Sequence, residues 1–338
     1  MARDIGIDLG TSYTTIYVQG KGIVLREPSV IAVNKNTGMV LAYGEEAKKM
    51  LGRTPVNVVA IKPLQEGVVA DYDAAAMMLK HYIKSVSKKI GSFGRPNIMI
   101  SVPSGVTEVE QMAVYQAAKD AGAKSHPKLI EEPIAAAIGA DIPVDESSGF
   151  MIVNVGGGTT EIAVVSVGGI VSSKSLRIGG EEFDKAIMAF VKRDYNLLIG
   201  ERTAENVKIA IGAAYPKPNE EHMEIRGRDL VTGLPKNVKL SSSEIVEALK
   251  EPISVIIDAI KATLEATPPE LAADIYDQGI VLTGGSAHID GFDKIIRVET
   301  GMSVACPPNP EDTVITGIGH CIENPKIKAI LDSNRAQS

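Results

Sequence analysis

The sequence predicts an α/β protein made of two related domains, and two observations lead to that prediction. Apolar segments of strand length alternate with helix-length segments, twice over, along the 338 residues. A glycine- and threonine-rich hairpin also occurs twice, at residues 5–18 and 152–162, with Asp8 and Asn154 in equivalent places 146 positions apart. Because internal duplication dictates architecture, we expect two similar domains that hold one polyphosphate between them.

The first hairpin predicts an anion-binding turn. Runs rich in β-branched residues flank Gly10, Thr11 and Ser12. Gly10 allows a close backbone approach, and successive amide groups in such a turn form a concavity for anions. Asp8 would repel a bare phosphate, so we expect it to face a cation such as Mg²⁺, usually through water. An ordinary structural hairpin is the alternative reading of this motif when it stands alone.

The other elements follow from apolar periodicity and from turn residues. Ser241 and Glu244 form a capping-box pattern at the start of a long helix. Residues 54–67 are expected to be irregular, and residues 142–149 to form a hinge between the halves. The remaining strands are predicted at 22–33, 40–42, 97–102, 129–130, 169–175, near 222–240 and at 279–283, and the helices at 44–51, 71–90, 107–121, 131–140, 181–195, 203–213, 241–267, 290–300 and 311–323.

Composition excludes several classes of protein. A net charge of −7 argues against a nucleic-acid groove, so we expect no nucleic-acid partner. The two cysteines, Cys306 and Cys321, suggest neither a disulfide scaffold nor a metal site. No apolar run approaches the roughly 20 residues that span a bilayer. The first predicted strand begins within five residues of Met1, which leaves no room for a signal peptide, and we expect a cytoplasmic protein.

Two further motifs are candidates for chemistry. Gly284, Gly285 and Ser286 follow an apolar strand, and glycines there would let the backbone lie flat against a nucleotide. A simple strand-to-helix turn is the alternative. Glu132 opens an Ala-rich helix, where an acidic residue is an ordinary partner of the helix dipole. If a nucleotide lies nearby, Glu132 could orient or deprotonate an attacking water. The sequence contains no P-loop and no dinucleotide-binding fingerprint.

Taken in order, these motifs resemble those of the actin/Hsp70/sugar-kinase ATPase superfamily. Residues 8–11, 131–133, 156–161 and 284–285 are similar to its phosphate-1, connecting, phosphate-2 and adenosine motifs. Further blocks look like the MreB family of bacterial actins, with its MreB, Mbl and MreBH paralogues, and the resemblance runs from residue 4 to about residue 324. These blocks are residues 20–24, 27–30, 67–72, 199–205, 225–235 and 267–274.

The resemblance implies an actin-like (ribonuclease H-like) fold, in which four subdomains enclose ATP or ADP with Mg²⁺ in a cleft. The expected boundaries are 1–30, 71–145 and 312–338 for subdomain IA, 31–70 for IB, 146–179 and 240–311 for IIA, and 180–239 for IIB.

The same resemblance assigns roles to residues by position. Glu132 would position the hydrolytic water, with Thr159 assisting, while Asp8 and, weakly, Asn154 would hold Mg²⁺ through water. Glu205 and Lys208, about one helical turn apart, would touch ribose and base. The other nucleotide-binding residues would be Gly10, Thr11, Ser12, Tyr13, Gly156, Gly157, Gly158, Gly284, Gly285 and Ser286.

Three positions depart from the family pattern. Asn154 stands where the second phosphate motif usually has Asp, so we expect a weaker grip on Mg²⁺ and slowed hydrolysis with nucleotide binding retained. Ser286 stands where the family usually has a third glycine, and its side chain narrows the space for the adenosine. The expected membrane loop, residues 90–95, carries one aromatic, Phe93, among basic residues. One apolar side chain gives little affinity for anionic lipid, although many copies along a filament would multiply it. A solvated loop is the alternative.

The function implied is that of an ATP-binding cytoskeletal protein. Its filaments would associate weakly with the inner face of the cytoplasmic membrane and guide cell-wall synthesis and rod shape. Its partners would be further copies of itself together with morphogenetic and cell-wall synthesis membrane proteins. The fold alone also allows a sugar- or acetate-type kinase, a chaperone module that would need a peptide-binding domain, or a scaffold filament that does not hydrolyse ATP.

Overall fold

The computed structural model describes residues 3–91 and 94–327. Within them the strands are β1 (Ile5–Leu9), β2 (Tyr13–Val18), β3 (Gly22–Pro28), β4 (Ile31–Asn34), β5 (Val40–Tyr43), β6 (Val58–Ile61), β7 (Leu64–Gln65), β8 (Val68–Val69), β9 (Ile98–Val102), β10 (Lys128–Glu131), β11 (Phe150–Val155), β12 (Thr160–Ser166), β13 (Gly169–Leu176), β14 (Leu197–Leu198), β15 (His222–Asp229), β16 (Pro235–Ser241), β17 (Ile280–Thr283) and β18 (Val304–Ala305). The helices are α1 (Gly44–Met50), α2 (Tyr72–Lys89), α3 (Glu108–Asp120), α4 (Glu132–Gly139), α5 (Gly180–Tyr195), α6 (Glu201–Ile211), α7 (Ser242–Glu265), α8 (Pro269–Gln278), α9 (Phe292–Thr300) and α10 (Thr313–Glu323). Two 3₁₀ segments are Gly285–His288 and Pro310–Asp312.

Two five-stranded sheets share one topology. Their strand orders are β3-β2-β1-β9-β10 and β13-β12-β11-β17-β18. In each sheet, three antiparallel strands that follow one another in the chain are joined by two parallel strands that arrive by crossovers. The predicted duplication is therefore visible as a repeated sheet. Smaller sheets, β5-β4-β6 and β14-β15-β16, are formed by chain inserted between the larger elements.

The two predicted hairpins also agree in register. Asp8 lies opposite Thr15 on β2, and Asn154 lies opposite Glu161 on β12. Both members of the second pair are displaced from the first pair by the same 146 positions. Because side chains alternate between the faces of a strand, an equal register puts Asp8 and Asn154 on corresponding faces of their sheets.

A shared apolar core joins the two sheets. The buried face of α4 and the buried face of α10 pack together with Met99 of the first sheet and Ile152 of the second. Separate cores fill the space behind each sheet, one around Ile7 and Leu79 and the other around Val153 and Phe183. Burial of α4 on nearly every side explains its Ala-rich composition, since small side chains permit close approach.

The long predicted helix forms as α7, which has 24 residues. Its predicted capping box is present: Glu244 N–H donates to Ser241 Oγ at 3.4 Å, and Ser241 N–H donates to Glu244 Oε2 at 2.8 Å. These bonds satisfy backbone donors that the first turn of a helix leaves unpaired. Within the described ranges, no helix combines the length and apolar character that crossing a bilayer needs.

The structure differs from the sequence prediction in several segments. Residues 54–67, expected to be irregular, contain β6, which pairs with β4, and β7. Helix α8 and the two-residue strands β8, β14 and β18 were not predicted as elements. Helix α8 begins at Pro269, where proline is well tolerated because the first turn of a helix leaves backbone N–H groups unpaired. The exact boundaries of the four subdomains stay a prediction.

Candidate functional site

The two glycine-rich turns face each other across a cleft. Gly10 N–H donates to Tyr13 O at 3.1 Å, and Gly156 N–H donates to Thr159 O at 2.8 Å, so both turns close in the same way. A Cβ atom on Gly157 would collide with Ser12 Oγ, and one on Gly158 would collide with Thr11 Oγ1. Glycine is therefore required by the approach of the opposite turn.

Behind the turns lies a cavity of about 530 Å³, a size typical of small-molecule sites. It is lined by every catalytic, nucleotide-site and metal-site residue predicted above: Asp8, Gly10, Thr11, Ser12, Tyr13, Glu132, Asn154, Gly156, Gly157, Gly158, Thr159, Glu205, Lys208, Gly284, Gly285 and Ser286. These residues come from both halves of the chain, so the fold gathers them from widely separated segments. Phe93 lies outside the described residues.

Two buried acidic side chains, Asp8 and Glu132, line this cavity, and Glu161 lies near them. Asp8 accepts a hydrogen bond from Ser101 Oγ at 2.8 Å. Burial raises the pKa of Asp8 to about 6, although the Ser101 bond and the Arg26 charge act in the opposite direction. Burial also raises the pKa of Glu132 well above its ordinary value, and the charges of Glu161 and Asp8 raise it further. A cluster of this kind favours a bound cation or a bound proton.

Asn154 is a neutral residue in contact with one member of this acidic cluster, Glu132. It is 5% exposed, and its Nδ2 donates to Glu132 Oε2 across a long 3.4 Å contact. Its Oδ1 accepts a hydrogen bond from Thr283 Oγ1 at 3.2 Å. The amide therefore adds a donor toward Glu132 where an aspartate would add a further negative charge.

Glu161 joins the two domains beside this cluster. It is fully buried on β12 and accepts hydrogen bonds from Ser104 N at 3.0 Å, Ser104 Oγ at 2.5 Å and Ser175 Oγ at 2.6 Å. Ser104 follows β9 of the first sheet, so its two bonds cross from one domain to the other, while Ser175 lies on β13 of the same sheet as Glu161. A buried carboxylate with three donors is well satisfied, which is consistent with a structural role.

On the far side of the cavity, Lys208 and Glu205 are held by partners that the sequence did not reveal. Lys208 Nζ lies 2.8 Å from Asp184 Oδ1 and donates to Gly180 O at 2.7 Å. Burial raises the pKa of Asp184 to about 6, even though the Lys208 charge acts to lower it. Glu205 Oε1 lies 2.7 Å from Lys48 Nζ, which comes from α1.

The predicted adenosine wall is tied to the second phosphate turn. Gly284 has a φ of +87°, a conformation open to glycine, and a Cβ there would collide with Val155 O. Ser286 Oγ donates to Gly156 O at 3.0 Å. The hydroxyl that replaces the usual third glycine therefore bonds this wall to the turn instead of only narrowing the cavity.

Sequence reasoning missed some residues of the cavity lining. Arg26 lies opposite Thr15, which in turn lies opposite Asp8, so its place could have been predicted from strand register once β3 was paired. Gly67 N–H donates to Thr11 Oγ1 at 2.9 Å. That contact joins residues 31–70, the expected subdomain IB, to the first glycine turn. No local sequence pattern indicates it.

Metal binding by protein side chains alone is not favoured by this geometry. No group of three His, Cys, Asp or Glu side chains among residues 3–91 and 94–327 is arranged to hold a metal ion. Mg²⁺, however, commonly uses one or two carboxylates together with waters and substrate phosphates. Asp8 offers a carboxylate and Asn154 an amide oxygen, which are ligand types that suit this mode, and both residues line the cavity.

Comparison with known proteins identifies the family. The model of the MreB/Mbl protein family matches residues 2–329. The cell shape-determining protein Mbl of Bacillus subtilis is 50% identical over 323 residues, which cover 96% of each chain. The chain belongs to the MreB/Mbl family.

Solved structures agree with this membership. The crystal structure of MreB5 of Spiroplasma citri bound to ADP matches this MreB/Mbl chain with a TM-score of 0.91 and 37% identity, and the match covers 99% of each chain. The MamK double helical filament matches with a TM-score of 0.80 at 22% identity, covering 96% of this chain and 99% of that one, and at that identity it bears on the fold alone. The predicted actin-like, duplicated α/β fold is thereby confirmed.

Proposed function

We propose that this MreB/Mbl protein binds ATP in the cleft between its domains and polymerises into actin-like filaments that take part in determining cell shape. The observation that carries the proposal is the pair of glycine turns, which face each other over a cavity of about 530 Å³. Backbone N–H groups in such turns bind phosphates, and two turns can hold a polyphosphate from opposite sides. Family membership supports the same conclusion, since Mbl is a cell shape-determining protein and MreB5 was solved with ADP.

Different residues of the cleft contact different parts of the nucleotide. Gly10, Thr11 and Ser12 hold its phosphates from one side, with Tyr13 at the edge of the turn, and Gly156, Gly157, Gly158 and Thr159 hold them from the other. Glu205 and Lys208 face the ribose and base, and Gly284, Gly285 and Ser286 form the wall behind the adenosine. Asp184 and Lys48 do not contact the nucleotide in this proposal. Asp184 instead holds the side chain of Lys208, and Lys48 holds that of Glu205.

The cleft also accommodates Mg²⁺. Asp8 would hold the ion through water, and Asn154 would add a weaker interaction through its carbonyl oxygen. When bound, Mg²⁺ supplies positive charge that neutralises the phosphates. Burial raises the pKa of Glu132, and repulsion from Glu161 and Asp8 raises it further; the charge of Mg²⁺ would offset that repulsion.

We propose a weak ATPase activity linked to filament assembly. Glu132 is 9% exposed at the first residue of α4 and faces the same cavity as the phosphate turns. A carboxylate in that position can orient water for attack on a terminal phosphate, and Thr159 on the second turn can assist. The kinase alternative requires an acceptor pocket with its own base, and no contact among the described residues favours one.

A pelleting assay tests the filament. We expect sedimentation to be greater with ATP than with ADP or without nucleotide, because the nucleotide sets the closure of the two domains. Phosphate release measured in the same tubes reports hydrolysis. A protein that stays soluble with ATP and releases phosphate only when a sugar or acetate is added would contradict the filament and would support the kinase.

Asn154→Asp tests the proposed slow hydrolysis. Restoring the carboxylate should strengthen the water-mediated hold on Mg²⁺ and raise phosphate release by about tenfold, the size of effect typical of an outer ligand of a metal. The same change removes the donor toward Glu132 and adds a charge beside it, so without Mg²⁺ the variant should unfold at a lower temperature. Phosphate release near that of other actins and unchanged by Asn154→Asp would refute the slow-hydrolysis proposal.

Location and further partners remain proposals that rest on family resemblance. We propose that the filaments lie at the inner face of the cytoplasmic membrane, attached weakly, and act with morphogenetic and cell-wall synthesis membrane proteins. Weak attachment by single subunits becomes effective when many copies are joined in one filament. Liposome flotation with filaments, compared with unpolymerised protein, would measure this contribution.

A further inference from the structure

Ion pairs join the two domains beside the cavity. Their lysines are not among the predicted binding residues, although one acidic partner, Glu205, is. Lys48 Nζ lies 2.7 Å from Glu205 Oε1, and Lys62 Nζ lies 3.0 Å from both Glu181 Oε1 and Glu201 Oε2. The lysines belong to the insertion with sheet β5-β4-β6, and their acidic partners belong to α5 and α6. We call Lys48 and Lys62 the mouth lysines.

The mouth lysines lie on one side of the cavity, and their partners lie on the other. Tyr13 and Glu205 line the cavity from opposite domains, and Lys48 contacts both: its Nζ is 3.4 Å from Tyr13 Oη and 5.2 Å from the centre of the Tyr13 ring. Glu181, a partner of Lys62, directly follows Gly180 of the cavity lining. A ligand that leaves past this edge must pass these contacts.

Two of these three pairs are partly shielded from water, while Glu201, the second partner of Lys62, is 65% exposed. The side chains of Lys48 and Glu205 are 24% and 27% exposed, and those of Lys62 and Glu181 are 27% and 26% exposed. Burial acts to lower the pKa of each lysine, but the hydrogen bonds and charges of the glutamates outweigh it and raise the pKa. Both lysines are therefore charged at neutral pH, and their attraction to the opposite side is maintained.

The neighbouring Lys49 provides a comparison within the same helix. Its Nζ lies 2.7 Å from Glu46 Oε1, three residues away on α1, so its ion pair does not cross the cleft. Lys48 and Lys49 thus carry the same charge on adjacent residues, and they differ in whether that charge joins the two domains.

We propose that the mouth lysines are positioning residues of the nucleotide site: by pairing with glutamates of the opposite domain they hold the cleft closed, and they thereby slow the release of bound nucleotide. Lys48 also fixes the side chain of Glu205, which the proposed function places against the ribose. The inference rests on that proposed function. It adds that the rate of nucleotide exchange is set by salt-sensitive contacts outside the phosphate turns.

The expected effect follows from the number and exposure of the pairs. A partly exposed ion pair contributes modestly, so losing the Lys48 pair should raise the release rate about threefold. Losing both mouth lysines should raise it by about tenfold, because Lys62 contacts two glutamates. Added salt screens such pairs, so release from the unaltered protein should quicken as the salt rises from about 0.05 M to about 0.5 M.

Nucleotide release measured on unpolymerised full-length protein tests the proposal. Etheno-ATP, whose ribose is unmodified, is bound with Mg²⁺ and chased with excess ATP, and the fluorescence decay gives the release rate. The variants are Lys48→Gln, Lys48→Gln combined with Lys62→Gln, and the matched control Lys49→Gln. Lys48→Arg keeps the charge and should restore a release rate close to that of the unaltered protein.

The salt response separates positioning from a general structural defect. Lys48→Gln should release nucleotide faster, and its release rate should increase less when salt is added. Lys49→Gln should match the unaltered protein in its release rate and in its response to salt. Equal release by Lys48→Gln and Lys49→Gln, or slower release by Lys48→Gln, would overturn the inference and leave the proposed function intact. Absence of etheno-ATP binding to the unaltered protein would overturn both.

Discussion

Replacing Glu132 by Gln should reduce phosphate release by about 10²- to 10⁴-fold, the contribution typical of a positioned general base. The side chain is buried at the start of α4, beside the cavity that both phosphate turns line. Glutamine keeps the shape and can still bond to Asn154, but it cannot accept a proton from water. Nucleotide affinity should stay nearly unchanged, because the proposed function assigns phosphate binding to the turns and not to Glu132.

The pH dependence adds a second, independent readout. Burial and the charges of Glu161 and Asp8 raise the pKa of Glu132 in the folded protein without ligand. Between its ordinary pKa and the raised value, the folded state binds more protons than the unfolded state, so stability falls as the pH rises. Glu132→Gln removes this penalty, and the nucleotide-free variant should be at least as stable as the unaltered protein at neutral pH.

The measurements are phosphate release, nucleotide affinity and thermal unfolding on the same preparations. The neighbouring Glu131→Gln, at an exposed position, is the matched control and should retain hydrolysis. Phosphate release by Glu132→Gln within about threefold of the unaltered protein would remove Glu132 from the proposed catalytic role. Loss of hydrolysis together with reduced stability at neutral pH would indicate a structural defect instead.

Local patterns in the sequence were sufficient to predict the repeated sheet. The hairpins at the two glycine turns are determined by residues close together in the chain, and their equal spacing implied equal register. The capping box of α7 is local in the same way. Predictions of this kind succeeded because strand alternation, turn glycines and helix caps each act over a few residues.

The features that the sequence did not reveal depend on contacts between distant segments. Strand β6 is held by pairing with β4, and Lys48 is placed against Glu205, 157 positions away. The hydrogen bond that Ser286 Oγ donates to Gly156 O spans 130 positions. No local pattern encodes such contacts, so resemblance to the family identified the cavity residues but not the side chains that hold them in place.

The crossing of α4 and α10 should be the position most sensitive to added volume. A Cβ on Gly139 would collide with the carbonyl oxygen of Thr313, and one on Gly317 would collide with the carbonyl oxygen of Ala135. Both obstacles are backbone atoms, which cannot move without separating the helices. Gly317→Ala should therefore lower the free energy of unfolding by about 2 to 3 kcal/mol, despite a gain of up to about 1 kcal/mol in helix propensity.

This crossing also positions the proposed catalytic carboxylate, since α4 begins at Glu132 and ends at Gly139. Separating the helices should shift Glu132 relative to the phosphate turns, and Gly317→Ala should lower phosphate release at temperatures where the variant remains folded. Urea unfolding and phosphate release measure the two effects, with Gly200→Ala as the control because a Cβ there meets no atom within 4 Å. An unfolding free energy equal to that of the Gly200→Ala control would show that the helices can separate without cost, and the close crossing would then not be what fixes Glu132.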